Sequence, residues 1–358
     1  MPNLRRLSIL AEPGLTPYWL PILSGDMPDL ESMTLPLFSY GQQVAQLAHL
    51  TTINITVKYT ALADVVGLFA NNPKLRSAAL CGSFRDKSCK RPHGAVRMVS
   101  LRQLDLLSWS ATSLLPFLAL EKGAHIRVFG PSSILESIDA GSIFPSDTTF
   151  LPNLTCLKQL RWYLMARDTL IEFIGPNGGF SILLPRPEVY AFATDSFPLG
   201  EVEEFYCESS SGLGLLIHTN ELNRVVGSMI PAMSQLRKVT FAMCTNSVIQ
   251  VVLPNLNQAA HLKSITLSHC DQPDPTHEVF HALLLFAKGR ISIDAKLEEI
   301  RIFCRTNAQR TGFLDRKLSK VAKSFALVHQ SPWEIRRTNI EIQRAFPASM
   351  QKSYPLYP

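Results

Sequence analysis

The sequence contains no run of about 18 apolar residues, the length a helix needs to cross a bilayer. No secretory leader is legible either: Arg5 and Arg6 are not followed by an apolar stretch and a small-residue cleavage site. Cysteine is sparse and odd in number, seven in 358 residues, without tight pairing, which argues against a disulfide framework. The expected compartment is therefore reducing, cytoplasm or nucleus. Two sequons, at Asn54 and Asn153, fall in or beside predicted strands, where glycosylation is not expected. The excess of positive charge is confined to the C-terminal region. The net charge is +6, but eight basic and three acidic residues between 315 and 358 supply nearly all of the excess. The nearly neutral body excludes a nucleic-acid-binding surface along it.

Catalytic signatures are lacking too. There is no G-x-S-x-G elbow and no Cys/His dyad with a local signature. Gly175-Pro-Asn-Gly-Gly179 lacks the Lys-Ser/Thr of a phosphate loop and reads as a turn. Cys81, Cys89 and His93 match no zinc spacing and lack a fourth ligand. No cofactor is expected.

What is present is repetition. Leu262-Lys-Ser-Ile265-Thr-Leu267-Ser-His-Cys270 has the form L-x-x-L-x-L-x-x-C, the core of a leucine-rich repeat. Ile265 and Leu267 are two apart, so on a strand they share a face, while Ser264 and Thr266 take the other. Copies begin at Leu4, Leu30, Leu50, Leu75 and Leu101, then at Leu157, Val202, Leu236 and Leu297. Ile126 and Val128 keep the inward pair without the leading leucine. Cys207, Cys244, Cys270 and Cys304 fall at or just after strand ends, where a small polar group caps freed backbone. One repeat cannot offset its own ordering entropy, so the copies must stack.

The expected fold is an α/β leucine-rich-repeat solenoid over residues 1–310, with a curved parallel sheet on the concave side and helices on the convex side. Helices are expected over residues 61–71, 110–122, 132–140, 168–174, 215–230, 247–258 and 275–288, and an irregular insertion near 165–201. Leu314, Leu318, Val321, Phe325 and Val328 step by four and three, which predicts a capping helix within 311–345. A last strand around Ile340 and Ile342 and a loose tail from 346 to 358 would follow.

In such an arrangement the outward strand residues line the concave face and bind protein. They are Gln103 and Asp105; Gln159, Arg161 and Tyr163; Glu204 and Tyr206; Lys238 and Thr240; Ser264 and Thr266; and Glu299 and Arg301. Tyr and Arg among mixed charges suit an interface. Two other readings exist. His277-Glu278-Val-Phe-His281 matches the H-E-x-x-H of zinc metallohydrolases, with Glu298 or Glu299 as a third ligand. Against it, the motif falls on a convex helix between two clear repeats, with Phe280, Leu283 and Ala287 as the core face. The basic C-terminal helix could instead lie on a membrane surface.

The opening Met1-Pro-Asn-Leu-Arg-Arg-Leu-Ser-Ile resembles the region after the F-box in the F-box/LRR-like proteins of mushroom-forming fungi. The Leu151-Pro-Asn-Leu-Thr lead-in and the cysteine-type repeat ends share that likeness, which covers most of the chain. It implies a substrate-recruiting arm of an SCF ubiquitin ligase. The F-box itself, which docks the ligase adaptor, has no match and would lie upstream of Met1, so adaptor binding is implied only for a chain that carries it.

Overall fold

In this computed structural model the described residues are 4–8, 29–35, 49–57, 60–84, 95–129, 150–165, 168–185, 197, 199–209, 219–242, 244–268, 277–304, 316 and 318–329. The chain forms two compact units, Met1–Lys158 with Leu170–Pro198, and Gln159–Thr169 with Leu199–Pro358.

The first unit is built on strands β1 (Arg6–Ser8), β2 (Ser32–Leu35), β3 (Thr52–Thr56), β4 (Ser77–Cys81), β6 (Gln103–Leu106) and β8 (Ala124–Phe129), with β5 (Val96–Met98) and β7 (Leu118–Leu120) forming a separate parallel pair. The six main strands pair in sequence order, all parallel. Their register aligns equivalent positions of the sequence repeats: Leu7 faces Met33, Met33 faces Ile53, Ile53 faces Ala78, Ala78 faces Leu104 and Leu104 faces Ile126. The leading residues Leu30, Leu50, Leu75 and Leu101 are all fully buried. One position later the backbone repeats too. The carbonyls of Arg5, Glu31, Thr51 and Arg76 each accept from two successive amides of the following rung. Helix α1 (Leu62–Asn71) and a 3-10 helix, Trp109–Phe117, fill two of the crossovers, with Val65, Val66, Leu68 and Phe69 of α1 buried.

The second unit repeats the plan. Strands β9 (Gln159–Leu164), β12 (Glu204–Ser209), β13 (Lys238–Ala242), β14 (Ser264–Ser268), β15 (Leu297–Cys304) and β16 (Ala322–His329) pair in that order, all parallel. Helices α2 (Thr219–Ala232), α3 (Asn246–Asn255) and α4 (His277–Ser292) connect successive strands and pack on one another in order. Inward pairs such as Val239 and Phe241, Ile265 and Leu267, and Ile300 and Ile302 are buried, as are Val248 and Val252 of α3 and Leu283, Phe286 and Ala287 of α4. Arg290, also buried, donates to the carbonyls of Ala259, Leu262 and Ala295 and so ties α4 to the turns around it. Such orphan carbonyls would each cost about 1–3 kcal/mol unpaired.

Several expectations need correction. Residues 168–174 are not helical: they lie in strand β10 (Asp168–Gly175), which the Pro176-Asn177 turn joins to β11 (Gly178–Pro185) as a hairpin. The insertion is therefore regular over 168–185, and β11 extends the parallel ladder beside β8. Gly178 permits this: its φ is +118°, and a Cβ there would meet the Ala124 carbonyl. The segment 110–122 holds the 3-10 helix only as far as Phe117 and then becomes β7, because Pro116 removes a helical donor. The capping helix is corrected as well. Leu318 and Val321 are buried, but residues 322–329 are β16, with Phe325 facing Ile300 across the ladder. Ala322-Lys-Ser-Phe325-Ala-Leu327 is one more copy of the repeat, aligned with Leu297 by its leading alanine. The membrane-surface reading loses the helix it was built on, since residues 322–329 are a strand. The expected helix at 132–140, the strand near 340–342 and the tail lie outside the described residues.

Candidate functional site: the outward strand faces

Because strand side chains alternate, the inward pair of each rung leaves a second set pointing away from the core. In the second unit the register brings this set into three rows. Gln159, Glu204, Lys238, Ser264 and Glu299 occupy one; Arg161, Tyr206, Thr240, Thr266 and Arg301 the next; Tyr163, Glu208, Ala242, Ser268 and Phe303 the third. Every second-unit residue expected at the interface is thus on this one face, and Gln103 and Asp105 hold the equivalent positions on β6 in the first unit.

Contacts within the first row are long: Gln159 Nε2 donates to Glu204 Oε2 at 3.2 Å, and Lys238 Nζ lies 4.0 Å from the same oxygen. A shorter, largely exposed bond joins it to the second row, where Arg301 Nε donates to Glu299 Oε1 at 2.6 Å. Exposed pairs of this kind contribute about 0–1 kcal/mol each, so they leave the surface free to exchange partners. The third row is different. Glu208 is nearly fully buried, and its one hydrogen-bond donor among the described residues is Tyr206 Oη, 2.6 Å from Oε2. The rings of Tyr163 and Tyr206 sit 5.8 Å apart, tilted by 55°. Burial pushes the Glu208 carboxyl up to about 7, opposed by the tyrosine hydrogen bond. Burial and the neighbouring carboxyl push the Tyr206 hydroxyl well above its ordinary range. Sequence reading missed Glu208, although it lies two residues beyond Tyr206 and so on the same face.

The outward face of the first unit holds a buried polar network. Arg127 on β8 makes a two-pronged ion pair to Asp105, Nε to Oδ1 at 2.6 Å and Nη2 to Oδ2 at 2.7 Å, and Gln103 Nε2 donates to Oδ2 at 2.8 Å. Beside it His125 Nε2 lies 2.6 Å from Ser181 Oγ, which donates to Glu172 Oε1 at 3.4 Å. Burial, with Arg127 adding to it and Asp105 opposing, lowers His125 to about 4, so the ring is neutral at pH 7. This is not a catalytic triad. Ser181 is buried, and the carboxylate meets the serine rather than the far side of the imidazole. His125, Arg127, Glu172 and Ser181 also escaped sequence reading; the alternation around Ile126 and Val128 marks the first two.

Elsewhere, Cys244 Sγ donates to the Cys207 carbonyl at 3.2 Å, and Ser209 Oγ accepts from Thr245 N, the capping expected of cysteine-type repeat ends. Asn153, in the second sequon, is fully buried and donates to the Gly179 carbonyl. The H-E-x-x-H segment begins α4. His281 is exposed, the side chains of His277 and Glu278 lie outside the described residues, and Glu298 and Glu299 pair with Lys263 and Arg301. Among the described residues no group of three or more His, Cys, Asp or Glu side chains could hold a metal, and no helix is long and apolar enough to cross a membrane. Cys89 and His93 lie outside the described residues. Compared with known proteins, the chain matches no family model, and no curated protein matches it.

Proposed function

We propose that the chain is a leucine-rich-repeat solenoid that binds a protein on the outward strand face of its second unit, and that it serves as the substrate-recognition part of an F-box type ubiquitin ligase subunit. The observation that carries the first half is the alignment of Gln159, Arg161, Tyr163, Glu204, Tyr206, Lys238, Thr240, Ser264, Thr266, Glu299 and Arg301 in adjoining rows of one parallel ladder. A sheet face that presents two tyrosines, two arginines and charges of both signs resembles an interface core with its polar rim. The repeated register and the repeated backbone bonds support the solenoid reading. The ligase role rests on the likeness to the fungal F-box/LRR-like proteins. Location in cytoplasm or nucleus follows from the same reading.

Photoreactive residues test this directly. Placed at Thr240 or Thr266 in living cells, they should cross-link one common protein, and placed at Gln250 or Lys288, exposed positions on α3 and α4, they should not. Reversing Glu204→Lys with Arg301→Glu should abolish the adduct and, in a chain carrying the F-box, the ubiquitin conjugates of the cross-linked protein. Equal adducts from both sides of the sheet would refute the assignment of the face.

A further inference from the structure

We infer that Tyr163, Tyr206 and Glu208 form a receptor for the guanidinium group of an arginine side chain on the bound protein. The inference rests on the partner-binding reading of the second unit's outward face and names the chemistry that the third row selects. Glu208 is a buried carboxylate on the face that carries the exposed charges, yet no ion pair reaches it among the described residues. On β9, Tyr163 lies directly opposite it in the register, and Arg161 lies one row back opposite Tyr206. On β13, Ala242 lies opposite it and Thr240 one row back, so that strand offers no charge there; beyond it Cys244 is a buried thiol. Arg161, one row back, makes no ion pair among the described residues. A carboxylate in that position is costly unless a cation joins it.

The two rings supply what the carboxylate lacks. The two rings touch each other, 5.8 Å apart at 55°, with Tyr163 buried and Tyr206 half-buried, so they present negative quadrupole to a group stacked beside them and already stand where ordering costs nothing further. A guanidinium is planar and weakly hydrated. It can stack on a ring and still direct an N–H to the carboxylate, which an ammonium does less well. Because burial holds the carboxyl near neutrality in the unoccupied chain, an arriving cation also displaces a proton, and binding strengthens as pH rises.

The test needs no partner protein. Nα-acetyl-arginine methylamide is titrated into the full chain and followed by calorimetry and by the tyrosine ring resonances, with the citrulline counterpart as a neutral copy of the same shape and the lysine counterpart as the rival cation. The expected result is saturable one-to-one binding in the millimolar range, near the value for one unassisted contact, with tyrosine resonances shifting. The citrulline compound should not bind, and the lysine compound should bind more weakly. Glu208→Gln, which keeps a partner for Tyr206, should weaken binding by at least about tenfold. Tyr163→Leu should weaken it several-fold, and wild-type affinity should rise about tenfold from pH 6 to pH 8. Equal binding of the citrulline compound, tighter binding of the lysine compound, or unchanged affinity in both variants would overturn the assignment. Should a variant not fold, the citrulline comparison on the unaltered chain decides. Cross-linking and this titration fail independently, since a partner can use the face without this receptor and the receptor can bind the small cation without a partner.

Discussion

The two units present the same kind of strand face and use charge on it in opposite ways. In the first, Asp105 is almost wholly buried and Arg127 mostly so, and they satisfy each other through two short bonds, with Gln103 completing the carboxylate. In the second, Arg301 and Glu299 are partly or largely exposed, while Glu208 is buried and makes no ion pair among the described residues. A closed network stabilises a fold and offers a partner nothing. A face of loosely paired charges and one uncompensated carboxylate contributes little to stability and leaves interactions to be made. The comparison locates the candidate interface by what its charges have not yet paired with.

Breaking the comparison by mutation should give its largest effect in the first unit. Arg127→Met strands the buried Asp105 carboxylate and should cost about 3–5 kcal/mol in urea unfolding. Adding Asp105→Leu should recover most of that loss, since an apolar pair of similar bulk needs no charge compensation. A single replacement that leaves the urea midpoint unmoved would remove the contrast between the units.

Next come two opposite pH dependences. His125 is held near 4 when folded and titrates near its ordinary 6.5 when unfolded, so the unfolded chain binds more protons between those values. Its contribution is full above pH 6.5 and is lost as pH falls through 4, on the order of 3 kcal/mol in all. Glu208 is raised to about 7, so the folded chain binds the extra proton. Its contribution is full below pH 4.5 and is lost as pH rises through 7, again on the order of 3 kcal/mol. Urea midpoints measured at pH 5 and pH 7 should show His125→Gln and Glu208→Gln shifting the wild-type difference in opposite directions. Shifts of the same sign would contradict the placement of one of the two groups.

The smallest effect on stability should come from Arg301→Met. It breaks an exposed pair and should change unfolding free energy by about 0–1 kcal/mol, within the range of most surface ion pairs. The same change should nonetheless reduce cross-linking from Thr266, its register neighbour. A fold that weakens by more than this would mean that Arg301 serves the structure rather than the surface.

The repeat was legible because its signal is redundant. Leu262, Ile265 and Leu267 state a rule that Leu30, Met33 and Leu35 state again, and stacking buries all of these but the half-buried Leu35. Strands whose first position departs from leucine were harder to see. β11 opens with glycines and follows a turn, so Asp168–Gly175 and its partner read as helix and loop. β16 has an alanine where Leu297 stands, and its spacing of four and three also suits a helix. There the choice was made by the free backbone edge of β15, which a helix could not have paired. The outward residues on alternate strand positions were readable for the same reason as the core; their neighbours Glu208, His125 and Arg127 were not singled out, because a side chain's burial depends on what the adjoining strand places beside it.

Amino-acid order alone determined that short strands would recur, which side chains they would turn inward, and that the remaining ones would share a face. Only the tertiary structure decided which of those outward groups pair and which stay unmatched. Arg127 meets Asp105 across 22 residues of chain, and Tyr163 comes to lie opposite Glu208 from 45 residues away. The physical reason is that a repeat's period fixes each side chain's direction locally, whereas its electrostatic environment is set by register between strands, which is established only when the rungs stack.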